Sequence, residues 1–178
     1  MNSENKIVPR ILLIDDDASL VQVMIKMVKK WGYEMTVATN GEEGMLKAQE
    51  ERPDLVILDV MMPGMNGWTF IQKFKSIPQY NKIPVIFLTA LKTPKERIKG
   101  LQLGANDYIQ KPFYFDELRV RVDNLLKTTA TENAQESDPS TSGNLKWSLQ
   151  QLGLPSLLMG LEMEQKSGTL VVDNVETS

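Results

Sequence analysis

A chain of 178 residues has room for one ordinary core and an appendage, and its net charge of −3 offers no basic footprint for nucleic acid. Cysteine and histidine are both absent, which removes disulfides, thiolate catalysis, Ser-His-Asp triads and phosphohistidine from this chain. No apolar run is long enough to span a bilayer and the polar start at Met1 to Lys6 is not a signal peptide, so a cytoplasmic protein without membrane insertion is expected.

Arg10 to Ile14 is a short apolar run, predicted as a buried strand, and Asp15, Asp16 and Asp17 follow it at once. Residues 18–31 carry Leu20, Val23, Met24, Met27, Val28 and Trp31 at helical spacing, and Gly32 stands where a C-terminal cap belongs. Asp17 reads as the N-cap of this helix rather than a ligand. A second strand is predicted over residues 33–38. A second helix over 42–51 follows, with Asn40 as N-cap and Met45 and Leu46 inward. Leu55 to Leu58 is the third strand, apolar throughout, and Asp59 stands where it ends. Pro63, Gly64 and Gly67 make the next stretch a loop, and a helix over 67–76 brings in Phe70, Ile71 and Phe74.

Val85 to Thr89 is the fourth strand, and a short charged helix spans 94–101 with Pro94 at its start. A brief fifth strand over 108–110 precedes Lys111-Pro112, and the last helix spans 114–127 with Leu118, Val122, Leu125 and Leu126 at core spacing. Five strands alternating with five helices predict a parallel sheet covered on both faces, a doubly wound α/β domain over 6–127. Residues 128–143, rich in Ser, Thr, Asn and Glu, read as a flexible linker. Residues 144–178 turn apolar again and read as a short α+β fragment.

Asp15, Asp16, Asp59, Thr89 and Lys111 all fall at or just past predicted strand ends, and in a parallel sheet such ends share one edge. Carboxylates held together repel unless a cation joins them, and oxygen ligands without His or Cys suit Mg2+. Lys111 adds a point charge and Thr89 a hydroxyl for an anionic oxygen, so the set reads as a phosphoryl site with Asp59 as the nucleophile. An Asp that merely caps a turn, and a surface lysine, are the plainer readings of single members.

The pieces Leu13 to Asp16, Leu58 to Gly67, Leu88 to Ala90 and Gly104 to Phe113 together resemble response-regulator receiver domains, over residues 6–127. The resemblance implies a flavodoxin-like sheet of order 2-1-3-4-5. It implies Asp59 as phosphoacceptor, and Mg2+ held by Asp15, Asp16, Asp59 and the Met61 backbone carbonyl. Thr89 and Lys111 would bind phosphoryl oxygens, Thr89 and Tyr108 would form a switch pair, and the Lys111-Pro112 bond would be cis. Tyr108 reads equally well as an ordinary half-buried strand aromatic.

The implied role is that of a response regulator in a two-component phosphorelay. It would take a phosphoryl group from a partner histidine kinase or phosphotransfer protein and act on a downstream signalling protein, without touching nucleic acid itself. Self-phosphorylation and autodephosphorylation would be its only chemistry. A homodimer through the fourth helix, fifth strand and fifth helix is a further expectation. Lys95, Arg97, Arg119, Arg121 and Asp123 keep that face charged, but Asn106 stands where such receivers often carry an acid.

Ser142-Gly143, Leu154-Pro155 and Lys166 to Val172 resemble the opening of a PATAN domain, which would point to protein interaction; a partly disordered tail is the alternative. Two other readings compete for the main domain. An aspartyl phosphatase would carry an acid two residues after its nucleophile, where Met61 stands, and a dinucleotide-binding fold would need glycines where Asp15 to Ser19 stands.

Overall fold

The structure is a computed structural model, and it describes residues 8–136. Strands β1 (Arg10–Ile14), β2 (Glu34–Ala38), β3 (Leu55–Leu58), β4 (Val85–Thr89) and β5 (Asp107–Gln110) alternate with five helices. These are α1 (Ala18–Trp31), α2 (Gly41–Glu50), α3 (Gly67–Ser76), α4 (Pro94–Gln102) and α5 (Phe115–Glu136). All strand pairings are parallel and the order is β2-β1-β3-β4-β5. The order in which strands are added across the sheet reverses between β1 and β3, so the carboxyl ends of those strands open a crevice on one rim.

Burial on both faces explains why the central strands read as unbroken apolar runs. Every residue of β3 and β4 is buried, and alternate side chains feed two separate cores. Leu12, Ile14, Val56, Leu58, Val85 and Phe87 point towards α2 and α3, where Phe70, Phe74 and Tyr80 stack in sequence. Ile11, Leu13, Leu55, Ile57, Ile86 and Leu88 point the other way, onto Met24 and Val28 of α1 and Leu118 and Val122 of α5. Truncating a ring such as Phe74, fully buried in the first core, costs about 3–5 kcal/mol.

The helices start and stop where local chemistry directs. Asp17 accepts the N–H groups of Ser19 and Leu20, Asn40 that of Glu43, and Asn66 that of Thr69. Thr93 and Glu96 form a reciprocal capping box with Pro94 in the first turn. Gly32 ends α1 in the left-handed conformation, φ 88°.

Several expectations change. In α1 Val21 joins Met24 and Val28 on the inner side, and Val23 is 44% exposed. In α2 Leu46 is 59% exposed, while Gly44 and Ala48 face the sheet. The cause is close approach: a Cβ on Gly44 would stand 2.5 Å from Ile14 Cδ1, so only the smallest residues fit that side. The last helix begins at Phe115 and continues to Glu136, so residues 128–136, expected as linker, are helical. The composition there removes a core-facing stripe but contains neither Gly nor Pro, and Thr128, Thr129 and Thr131 bond back to carbonyls four residues earlier. The rest of the expected linker and the PATAN-like segment lie outside the described residues.

Candidate functional site at the carboxyl rim of the sheet

Three acids and a lysine meet at this rim. β1 delivers Asp15, whose N–H bonds to the Ala38 carbonyl, and β3 delivers Asp59, whose N–H bonds to the Ile14 carbonyl. The two carboxylates are therefore fixed by the sheet ladder itself. Asp15 is 1% exposed and Asp59 7% exposed, while Asp16 faces solvent. One oxygen from each of Asp15, Asp16 and Asp59 can be chosen so that all lie within 4.8 Å of one another.

Lys111 enters from the end of β5, anchored by its N–H to the Thr89 carbonyl. Its ammonium donates to Asp15 Oδ2 at 2.6 Å and to Asp59 Oδ2 at 2.8 Å. Burial works against this charge, but the hydrogen bonds it donates to Asp15 and Asp59 outweigh it and the ammonium is held above its usual range. Asp15 moves upward, because burial outweighs the help of Lys111 and the Asp17 N–H. A single ammonium thus leaves part of the acidic charge uncompensated. Three oxygen ligands and no nitrogen or sulfur make a fitting place for a hard dication.

Thr89 is fully buried, and its hydroxyl accepts the Leu91 N–H at 3.5 Å. Among the described residues it joins none of the hydrogen bonds linking Asp15, Asp59 and Lys111. Met61 is 62% exposed beside the site, and its N–H donates to Asp59 Oδ1 at 3.1 Å. The Lys111-Pro112 peptide is cis.

Tyr108 is half-buried against Phe87, with ring centroids 6.4 Å apart, and its hydroxyl donates to the Leu91 carbonyl at 2.6 Å. Burial raises its phenol first, with the charges of Glu96 and Asp59 adding to the effect. Thr89 and Tyr108 therefore grip opposite ends of one residue, Leu91. That residue gave no signal in the sequence, because its task is done by backbone atoms to which side-chain type is blind.

The face expected to dimerise is partly folded onto itself. Asp107 takes a two-pronged bond from Arg121 at 2.6 and 2.8 Å, and Arg121 also reaches Glu117. Asn106 is turned to the sheet: its side-chain oxygen accepts the Val85 N–H and its own N–H reaches the Val85 carbonyl. It fixes the entry of β5.

Comparisons with known proteins agree with this geometry. Residues 11–123 match the family model described as the response regulator receiver domain. Among curated proteins, the probable transcriptional regulator ycf27 of Cyanophora paradoxa is 42% identical over 134 residues, covering 75% of this chain and 54% of that protein. The transcriptional regulatory protein PrrA of Mycobacterium tuberculosis is 33% identical over 138 residues, covering 78% and 58%. The chain spans about half the length of the curated relatives it matches.

Among solved structures, a response regulator from Chloroflexus aurantiacus superposes with a TM-score of 0.65 at 34% identity, over 67% of this chain and 98% of that one. The chemotaxis protein CheY4 of Vibrio cholerae gives 0.64 at 31%, over 66% and 98%. With a family match over most of the described residues, and the acids and lysine gathered at the rim where the topology reverses, the chain belongs to the response-regulator receiver family, signalling domains of two-component phosphorelays.

Proposed function

We propose that Asp59 accepts a phosphoryl group from the histidine kinase or phosphotransfer partner that a receiver serves. The observation that carries this is the buried Asp15–Lys111–Asp59 bridge at the sheet rim. An Asp59 oxygen attacks phosphorus and a P–O bond forms. The P–N bond to the donor imidazole breaks, and its electron pair returns to nitrogen. Lys111, 2.8 Å from Asp59 Oδ2, stays within reach of the oxygens added there, and the Thr89 hydroxyl is free to donate once it turns from Leu91.

Asp15, Asp16, Asp59 and the Met61 carbonyl are the residues that would hold Mg2+, whose charge lowers the cost of bringing a dianion to a carboxylate. Hydrolysis returns Asp59 to its free carboxylate, so turnover on other substrates is not part of this reading. The new phosphoryl carries about −1.5 to −2 charge, enough to redirect Thr89 and, through Leu91, Tyr108. The affinity of the α4–β5–α5 face for a downstream protein, or for a second copy of the chain, changes with it. We assign no nucleic-acid contact to the receiver itself, although the relatives' names make transcription their output. No described helix is long and apolar enough to cross a membrane, and we place the protein in the cytoplasm with its kinase partner.

Incubation with a small phosphodonor and Mg2+, followed by intact-mass measurement, tests the assignment. One phosphoryl mass is expected on the wild-type chain, and none on Asp59→Asn or when the metal is chelated. An Asp59→Asn chain that still gains the mass would refute it.

A further inference from the structure

The loop between β3 and α3 is closed at its neck, where the Gly67 N–H donates to the Val60 carbonyl at 3.0 Å. Gly67 is confined to glycine, since a Cβ there would stand 2.3 Å from the Asp59 carbonyl oxygen. The near side of the loop is tied to the site by the Met61 N–H on Asp59. The far side is tied to α2, a helix that carries none of the site residues. Met65 gives its N–H to Glu42 Oε2 at 2.9 Å, and its carbonyl accepts the Gly41 N–H at 3.0 Å.

Both backbone groups of one loop residue are thus held by the first two residues of α2. The contact is close enough to dictate sequence. A Cβ on Gly41 would lie 2.6 Å from the Met65 oxygen, and one on Gly64, at φ +70°, would lie 3.3 Å from Glu42 Oε2. A carboxylate accepting a backbone N–H makes a bond roughly twice as strong as a neutral acceptor would. Glu42 is therefore more than an acid in the first turn of a helix: it reaches across to a different segment.

We propose that Glu42 is a positioning residue for the phosphorylation site. By holding the Met65 peptide it fixes the loop that contributes the Met61 carbonyl, and so sets the affinity for Mg2+. The inference rests on the receiver reading above. Groups that orient metal ligands through one hydrogen bond commonly change affinity by about 10–100-fold when lost. Glu42 acts one step further out, so about 3–10-fold is expected here.

The experiment uses the full chain and three variants: Glu42→Ala, Glu42→Gln and Gly41→Ala. Mg2+ is titrated by intrinsic fluorescence and by the shift of the thermal midpoint, and exchange of the Met65 amide is measured without metal. Glu42→Ala should bind Mg2+ about 3–10-fold more weakly and exchange the Met65 amide faster. Glu42→Gln keeps an oxygen acceptor without its charge and should fall between the wild type and Glu42→Ala. Gly41→Ala, which pushes the loop away while keeping the acid, should lose at least as much as Glu42→Ala. Wild-type affinity or an unchanged Met65 amide in Glu42→Ala would overturn the inference. So would a Glu42→Gln variant as weak as Glu42→Ala, since charge acting at a distance would then explain the loss. A wild-type chain that neither binds Mg2+ nor takes phosphate would instead overturn the receiver reading.

Discussion

The two rims of the sheet use charge in opposite ways. At the amino rim several charged groups are matched to backbone partners, beside side-chain pairs such as Arg10–Glu34 and Arg121–Asp107. Asp54 accepts the Arg10 N–H at 2.8 Å, Arg52 donates to the Gln79 carbonyl, and Lys75 donates to the carbonyls of Asn81 and Ile83 at 3.0 and 2.6 Å. These bonds tie loops to strand ends. At the carboxyl rim, acids are crowded together and one lysine is shared between two of them. Backbone-matched charge fixes geometry, whereas under-compensated charge stores an affinity for something else.

Removing Lys111 should expose the difference most sharply. Lys111→Ala leaves Asp15 and Asp59 buried without their counter-charge, and breaking such a pair costs about 3–5 kcal/mol. Two conditions should restore much of the loss. Mg2+ replaces the missing charge, and acid protonates Asp15, whose folded-state pKa already lies above its usual value. That direction means the folded state takes up the proton first, so the Asp15 penalty is relieved as pH falls through its raised pKa. Urea melts of both chains with and without Mg2+, repeated at acid pH, measure this. A deficit insensitive to both would show the carboxyl rim to be ordinary structure.

Much of that contrast is legible in the sequence because a central parallel strand is simple to read. Residues such as Leu55 to Leu58 are buried on both faces, so the strand shows as an apolar run, and whatever ends it stands at the rim. Asp15, Asp59 and Thr89 are each found that way, whereas Lys111 is read from its place after the edge strand β5 and before Pro112. Helix faces are harder. Periodicity marks Val23 and Leu46 as inward, but α2 lies so near Ile14 that Gly44 and Ala48 take the inner side. Backbone tasks are invisible altogether. Nothing about Leu91 or Met65 as residue types announces that the main chain of one is held by Thr89 and Tyr108, and that of the other by Gly41 and Glu42. The end of α5 is missed for a related reason, since composition reports the lack of a core rather than the lack of a helix.

The lysine of the amino rim supplies the counterpart experiment. Lys75→Met keeps the length of the side chain but strips a donor from the carbonyls of Asn81 and Ile83. A loss of about 1 kcal/mol is expected, because relief of ammonium burial offsets part of the hydrogen-bond cost. The phosphorylation rate and Mg2+ affinity should match the wild type, which separates this rim from the other. A variant that folded normally but took phosphate at a different rate would break the division between structural and chemical charge.

The smallest effect is a pH dependence with a definite sign. Burial pushes the Lys75 ammonium down to about 8, with no carboxylate among the described residues opposing it. Between about pH 8 and the unfolded value of about 10.4, the unfolded chain binds more protons than the folded one. Stability attributable to Lys75 therefore rises with pH across that window and is flat below it. Lys75 is only partly buried, so solvent screening reduces the gain to about 1 kcal/mol. Lys111 acts oppositely and later: its raised pKa keeps its contribution intact up to the usual lysine range and loses it only above. Urea midpoints taken from pH 7 to 10 should climb for the wild type and stay level for Lys75→Met. A wild-type curve that falls across this window would mean that the carbonyls of Asn81 and Ile83 hold the ammonium more tightly than burial repels it.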